Sequence, residues 1–158
     1  MALTMSNIAL HFYEKPGCIN NTRQKQMLRK TGIELIEHNL LTTVWQREEL
    51  RRFFGQRPVA EWFNPSAPEV KSKRIRPHEI AATEALDFMI AAPILIRRPL
   101  LRFGNWYEVG FDWAQLIQEL NLSEKEIGAI AAPSGLDGCA HENSTMIGLL
   151  DRRKGKQL

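Results

Sequence analysis

The residues best suited to chemistry in this 158-residue chain are one cysteine and a short basic stretch far from it in sequence. Cys18 lies in "FYEKPGCINN", after an apolar run and a Pro16-Gly17 turn, at the start of a polar segment. A thiol placed at a helix N-terminus meets unpaired backbone N–H groups and the positive end of the helix dipole, and both favour the thiolate. Lys15 adds a positive charge three residues upstream. An inert cysteine packed under a loop fits the same residues, since free cysteines are commonly buried. The second stretch is "PILIRRPLL", with Arg97, Arg98 and Pro99 just ahead of an expected strand. A guanidinium there could hold an oxyanion or carboxylate by paired hydrogen bonds. The plainer alternative is a pair of solvated basic residues at a strand start.

Several sharper motifs are missing. No C-x-x-C dithiol forms, because Asn21 stands at its second position. A phosphatase-type loop of cysteine, five residues and arginine fails too, since Arg23 comes one residue early. Cys139 and His141 have no second pair at zinc-ligand spacing.

The elements that would position these residues follow from periodicity and punctuation. Ile8–Tyr13 reads as a strand buried on both faces. "NNTRQKQMLRK" reads as a helix, with Cys18 at its start and Gly32 past its end. Ile33–His38 is a second strand. Thr43 and Gln46 suggest a capping box for a helix over Trp45–Phe54. From Gly55 to Pro77, four prolines and the basic "KSKRIRPH" imply a short helix at Val59–Phe63 and otherwise loop. A helix over Ile80–Ala91 precedes Pro93. Strands near Leu100–Phe103 and Trp106–Gly110 form a hairpin across Gly104-Asn105. Trp113, Leu116, Ile117 and Leu120 give one face of a helix capped by Asp112.

Strand–helix–strand, then helices, then a hairpin and helix, predicts an α/β fold: a thioredoxin-like sandwich with a helical insertion. Residues 1–120 would form this domain, and 121–158 a C-terminal extension with a mobile basic end. In such a sandwich Arg98-Pro99 faces the cysteine, and the peptide bond between them is expected to be cis.

A formal net charge of +3, with 44% hydrophobic and 25% charged residues, suits an ordinary soluble domain without singling out nucleic acid. Two cysteines are too few for a disulfide scaffold. The opening "MALTMSNIAL" lacks the pattern of a signal peptide, and "ALDFMIAAPILI" is too short to span a membrane. A cytoplasmic protein is expected, with its thiols kept reduced.

Two passages, "FYEKPGCINNTRQKQML" and "LDFMIAAPILIRRPLL", resemble the arsenate reductase family that also includes the Spx-type transcription regulators. The resemblance runs from about Ile8 to Leu120. The "KPGC-x-NN" form and the C-terminal extension further resemble the subgroup of nitrogenase-associated proteins. The resemblance implies that Cys18 is the catalytic nucleophile and Arg98, before a cis Pro99, the oxyanion-binding arginine. Lys15, Asn21 and Thr22 complete the candidate substrate-binding set.

The family's other arginines are not matched. None lies in "WFNPSAP", Val109 stands near a second arginine position, and Thr22 replaces the arginine four residues after the cysteine. A trianion held by one matched arginine is bound poorly, so efficient arsenate reduction is not expected. Arg23, Arg97 and Arg102 are the candidates to substitute.

Two functions are implied. One is a monothiol oxidoreductase with no tightly bound cofactor, using glutathione as co-substrate, with glutaredoxin as a further thiol partner. The other is a non-catalytic accessory or regulatory module for a nitrogen-fixation protein partner, or a Spx-like one binding through "KSKRIR". Neither reading includes a membrane, a metal or direct nucleic-acid binding.

Overall fold

The computed structural model describes residues 8–122. Cys139 and nearly all of the expected C-terminal extension lie outside the described residues. Four strands form one mixed sheet in the order β2-β1-β3-β4: β1 (Leu10–Glu14), β2 (Leu35–Asn39), β3 (Leu100–Phe103) and β4 (Trp106–Val109). β1 runs parallel to β2 and antiparallel to β3, and β3 and β4 form the expected hairpin. Five α-helices accompany them: α1 (Ile19–Lys30), α2 (Arg47–Phe54), α3 (Pro68–Lys71), α4 (Ala82–Ala91) and α5 (Trp113–Glu119). Short 3-10 turns cover Val59–Trp62 and Pro93–Leu95.

The period-2 alternation of the strands divides the core between the two sheet faces. Leu10, Phe12 and Leu101 pack with Leu28 of α1 and Leu116 of α5. Tyr13, Leu100 and Val109 point the other way, into a larger cluster with Leu50 and Phe53 of α2 and Leu86 and Met89 of α4. β1 is an inner strand with a helical layer on each side, which explains why it buries Leu10 and Phe12 on one face and Tyr13 on the other.

Two local expectations are corrected. Helix α2 begins at Arg47 behind Gln46, without a side-chain cap. Thr43 instead donates its hydroxyl to the Asn39 carbonyl at 2.8 Å, closing the turn after β2, so no capping box forms. The stretch expected to be loop contains α3, where Pro68 occupies the first turn, a position at which its missing N–H costs nothing. At α5, Asp112 caps as expected, accepting from the Gln115 N–H at 3.2 Å. No described helix is long and apolar enough to cross a membrane.

Candidate functional site

Strand register brings the separate sequence segments to one end of the sheet. Tyr13 pairs with Leu100, and Leu100 with Val109. The chain leaving β1, the chain entering β3 and the chain leaving β4 therefore meet at the same edge. These segments carry Lys15 to Cys18, Arg97 to Pro99, and Gly110 to Asp112. The Leu40 N–H donates to the Glu14 carbonyl at 2.8 Å and brings the β2 exit to this edge as well. The Arg98–Pro99 peptide is cis, as expected. The Gly110 N–H donates to the Pro99 carbonyl at 2.8 Å, tying the hairpin's exit to the proline.

Cys18 is the N-cap residue of α1, with φ −73° and ψ 119°. Gly17 supplies the left-handed turn before it at φ +84°, a conformation that side chains disfavour. The Cys18 N–H donates to the Lys15 carbonyl at 3.1 Å, and its carbonyl accepts from the Thr22 N–H at 3.0 Å. The side chain does not cap the helix. The residue is only 2% exposed, so the thiol lies in the interior and not on an open surface.

The neighbouring candidates divide by what their side chains already do. Asn21, 1% exposed, accepts the Lys15 N–H at 3.4 Å and donates to Gln24 Oε1 at 2.9 Å. It holds the loop against the helix from the position where a dithiol would have its second sulfur. Thr22 is exposed and donates its hydroxyl to the Cys18 carbonyl at 3.0 Å. Lys15 is half-buried.

Arg98 differs from all of these. It is 2% exposed, and Nε, Nη1 and Nη2 are each buried with no hydrogen-bond partner among the described residues. A guanidinium cannot shed its charge by deprotonating. A buried, unpartnered cation costs several kcal/mol, which an anion brought to it would offset. Lys25 shows the contrast: it is nearly as buried, but Nζ sits 2.8 Å from Glu14 and 3.2 Å from Glu37.

The three arginines expected as substitutes each have surroundings of their own. Arg23 is exposed on α1. Arg102 lies within β3, 3.3 Å from Glu49 and stacked over Tyr107 at 5.5 Å. Arg97 lays its guanidinium against Gly110, where an added Cβ would meet Nη2 at 3.0 Å. Asn64 spends its amide internally, donating to the Ile94 carbonyl at 3.1 Å and accepting from the Ser66 N–H at 3.0 Å. Val109 is 1% exposed and belongs to the core.

Sequence reasoning missed the Glu14–Lys25 pair and the buried polar face of α1, where Asn20, Asn21 and Gln24 are each at most 2% exposed. Periodicity held a signal for the pair: Leu10, Phe12 and Glu14 share a strand face, and Asn21, Lys25 and Leu28 share a helix face.

No family model matches the chain. A 15.7 kDa protein of Rhodospirillum rubrum, described as uncharacterized and lying in the draG 3′ region, is 43% identical over 119 residues. The match covers 75% of this chain and 83% of that protein. The regulatory protein MgsR of Bacillus subtilis is 28% identical, with coverage of 74% and 92%. The global transcriptional regulator Spx of Streptococcus pneumoniae is 23% identical, with coverage of 61% and 74%. Among solved structures, an ArsC-family-related protein of Bacteroides fragilis superposes with a TM-score of 0.63 at 22% identity. It covers 71% of this chain and 98% of its own. The chain belongs to the ArsC/Spx family. Its fold is thioredoxin-like. An arsenate reductase of Vibrio cholerae shares that fold, with a TM-score of 0.59, 19% identity, and coverage of 73% and 98%. The similar proteins thus include an enzyme that shares the fold and regulators that share sequence.

Proposed function

We propose that the protein is a monothiol oxidoreductase of the arsenate reductase family, with Cys18 as nucleophile and Arg98 as the residue holding an anionic group of the substrate. The observation that carries this reading is the buried Arg98 guanidinium, without a hydrogen-bond partner among the described residues, next to a cis proline, at the sheet end where the Cys18 helix begins. The twelve-residue helix α1 presents its N-terminus at Cys18, which favours the thiolate. Lys15 adds positive charge to the same loop, and Asn21 and Thr22 fix its shape.

The reductant is an external thiol, glutathione with or without glutaredoxin, because Asn21 cannot resolve an oxidised Cys18. With peroxide as oxidant, the Cys18 thiolate attacks one oxygen, the O–O bond breaks, and the other oxygen leaves as water after taking a proton. The resulting sulfenic acid condenses with one glutathione to give a mixed disulfide and a second water. A second glutathione attacks the mixed disulfide, releasing glutathione disulfide and the Cys18 thiolate. Two thiols thus supply the two electrons that reduce the peroxide. Such chemistry suits the reducing cytoplasm.

Mass spectrometry after treatment with peroxide and glutathione tests this. One glutathione is expected on Cys18, lost in Cys18→Ser and retained in Cys139→Ser. A folded protein in which neither cysteine reacts would end the catalytic reading. The second reading, a non-catalytic accessory module linked to nitrogen fixation, would then stand. The 2% exposure of Cys18 and the relative in the draG 3′ region favour that alternative.

A further inference from the structure

The Cys18 turn rests on a buried polar seam that the chemistry above does not use. One face of α1 carries Asn21, Gln24 and Lys25, each at most 9% exposed, where an amphipathic helix usually buries apolar side chains. Lys25 Nζ donates to Glu14 Oε1 at 2.9 Å, and lies 2.8 Å from Oε2 and 3.2 Å from Glu37 Oε2. Arg29 pairs with Glu37 in turn. The four charges alternate in sign and sum to zero. Glu14 is 8% exposed, its Oε2 accepts no hydrogen bond among the described residues, and Lys25 is the one cation paired with it there.

This seam adjoins the thiol through the chain. Glu14 is the last residue of β1, and Cys18 caps α1 four residues later. The link between them is tied to the same helix. The Lys15 N–H reaches Asn21 Oδ1 at 3.4 Å, Asn21 donates to Gln24 at 2.9 Å, and the Lys15 carbonyl accepts from the Cys18 N–H at 3.1 Å. Lys25 follows Cys18 by seven residues, close to two helical turns, so both stand on one side of α1.

Stability alone does not account for the ion pair, since apolar residues of similar volume often serve a buried position equally well. Charge gives it a use. A carboxylate held in the interior near a thiol disfavours the thiolate by like-charge repulsion, and poor solvation there extends its reach. Lys25 cancels that charge at its source. We infer that Lys25 is a positioning residue for Cys18: it holds the β1 exit against α1 and keeps the Glu14 charge from opposing the thiolate. The inference rests on the oxidoreductase reading for its consequence in turnover, while its effect on the thiol needs no substrate.

The test follows ionisation of Cys18 with pH by the ultraviolet absorbance of its thiolate. It uses the full-length protein carrying Cys139→Ser, with the Cys18→Ser form of that protein as the blank. Lys15, Arg97, Arg98 and Asp112, the other charged groups at this end of the sheet, are the same in every variant. Lys25→Met should raise the midpoint by about one pH unit. Adding Glu14→Gln should return it to within about 0.3 unit of the starting protein, and Lys25→Arg, which keeps the charge, should move it by less than that. A midpoint unmoved in Lys25→Met, or one that stays raised after Glu14→Gln is added, would overturn the inference. Where Lys25→Met does not fold, Glu14→Gln alone decides: it leaves Lys25 in place and should lower the midpoint, and a midpoint that stays or rises would overturn the role. Glutathionylation of Cys18 with unmoved midpoints would refute the role of Lys25 and leave the oxidoreductase reading intact. Shifted midpoints in a protein whose Cys18 never oxidises would do the reverse.

Discussion

Arg98→Met should stabilise the protein in anion-poor buffer and abolish its stabilisation by anions. Arg98 is 2% exposed, with three guanidinium nitrogens lacking acceptors among the described residues. An uncompensated buried charge costs about 3–5 kcal/mol, and replacing buried ionic groups with apolar ones is often neutral or stabilising by about 1–4 kcal/mol. Methionine keeps most of the stem and forfeits the volume of the guanidinium, a void worth about 1 kcal/mol. The net expectation is a gain of about 0–3 kcal/mol. Wild-type protein should in turn gain about 1.4 kcal/mol from sulfate at ten times its Kd, by linkage to the folded state. The variant should show none of that gain beyond the general effect of salt. Urea denaturation of both proteins, with and without sulfate at matched ionic strength, reads all four values. Loss of more than about 1 kcal/mol in Arg98→Met without sulfate, or equal sulfate stabilisation of both proteins, would show that Arg98 is structurally compensated and would remove the basis for an anion site.

Other expectations follow from neighbouring groups. Arsenate reductase activity with glutathione and glutaredoxin supplied should be absent or weak, because Asn64 is internally bonded and Val109 is core; turnover equal to an authentic reductase in the same assay would refute this. Lys25→Met should destabilise by about 3–5 kcal/mol, since it strands the buried Glu14 carboxylate. Adding Glu14→Gln should recover much of that loss, and a urea midpoint unmoved by Lys25→Met would refute the reasoning. His11 Nδ1 and His38 Nε2 lie 2.8 Å apart on adjacent strands. Burial lowers both pKa values, aided at His11 by the Arg102 charge and at His38 by His11. With folded pKa values below the unfolded one, the unfolded chain binds more protons, so stability is full above about pH 6.5 and falls as pH drops towards the lowered values. The pH dependence of the urea midpoint below 6.5 should flatten in His38→Gln, and an unchanged slope would refute the coupling.

The sequence carried the sheet and its main helices because each has a local signal. β1 is apolar on both faces, Gly17 and Gly32 bracket α1, and Gly104 turns the hairpin. Asp112 reads as a cap and is one. Thr43 failed as a cap because its hydroxyl is held in the turn before the helix, donating to the Asn39 carbonyl, and does not accept from an N–H of α2. The cis Arg98–Pro99 bond was legible only through the fold, since nothing local distinguishes this proline from the other seven. The burial of Cys18 was one of two readings its sequence allowed, and nothing local chose between them. Its depth depends on how α1 seats against the sheet, and α1 buries asparagines and glutamine that composition places in solvent. The same packing hides Lys25, which finds its partner eleven residues away on β1.

The burial of Cys18 and the solitude of Arg98 constrain each other. A thiol 2% exposed gains anionic character only if something nearby favours charge, and burial alone works against it. The α1 N-terminus supplies part of that field, and a cation without a partner at the same sheet edge supplies more. An incoming anion that pairs with Arg98 would neutralise this cation. A substrate of higher charge would then leave the thiolate facing repulsion beyond what the Arg98 charge offsets. A substrate carrying a single negative charge would leave the field near neutral and the thiolate able to attack. With Arg98 as the buried cation of the site, this argues for a monoanionic substrate. Comparing rates of Cys18 oxidation by neutral, monoanionic and dianionic peroxides would test it, with the monoanion expected fastest; a dianion fastest of the three would mean that other positive groups reach the site.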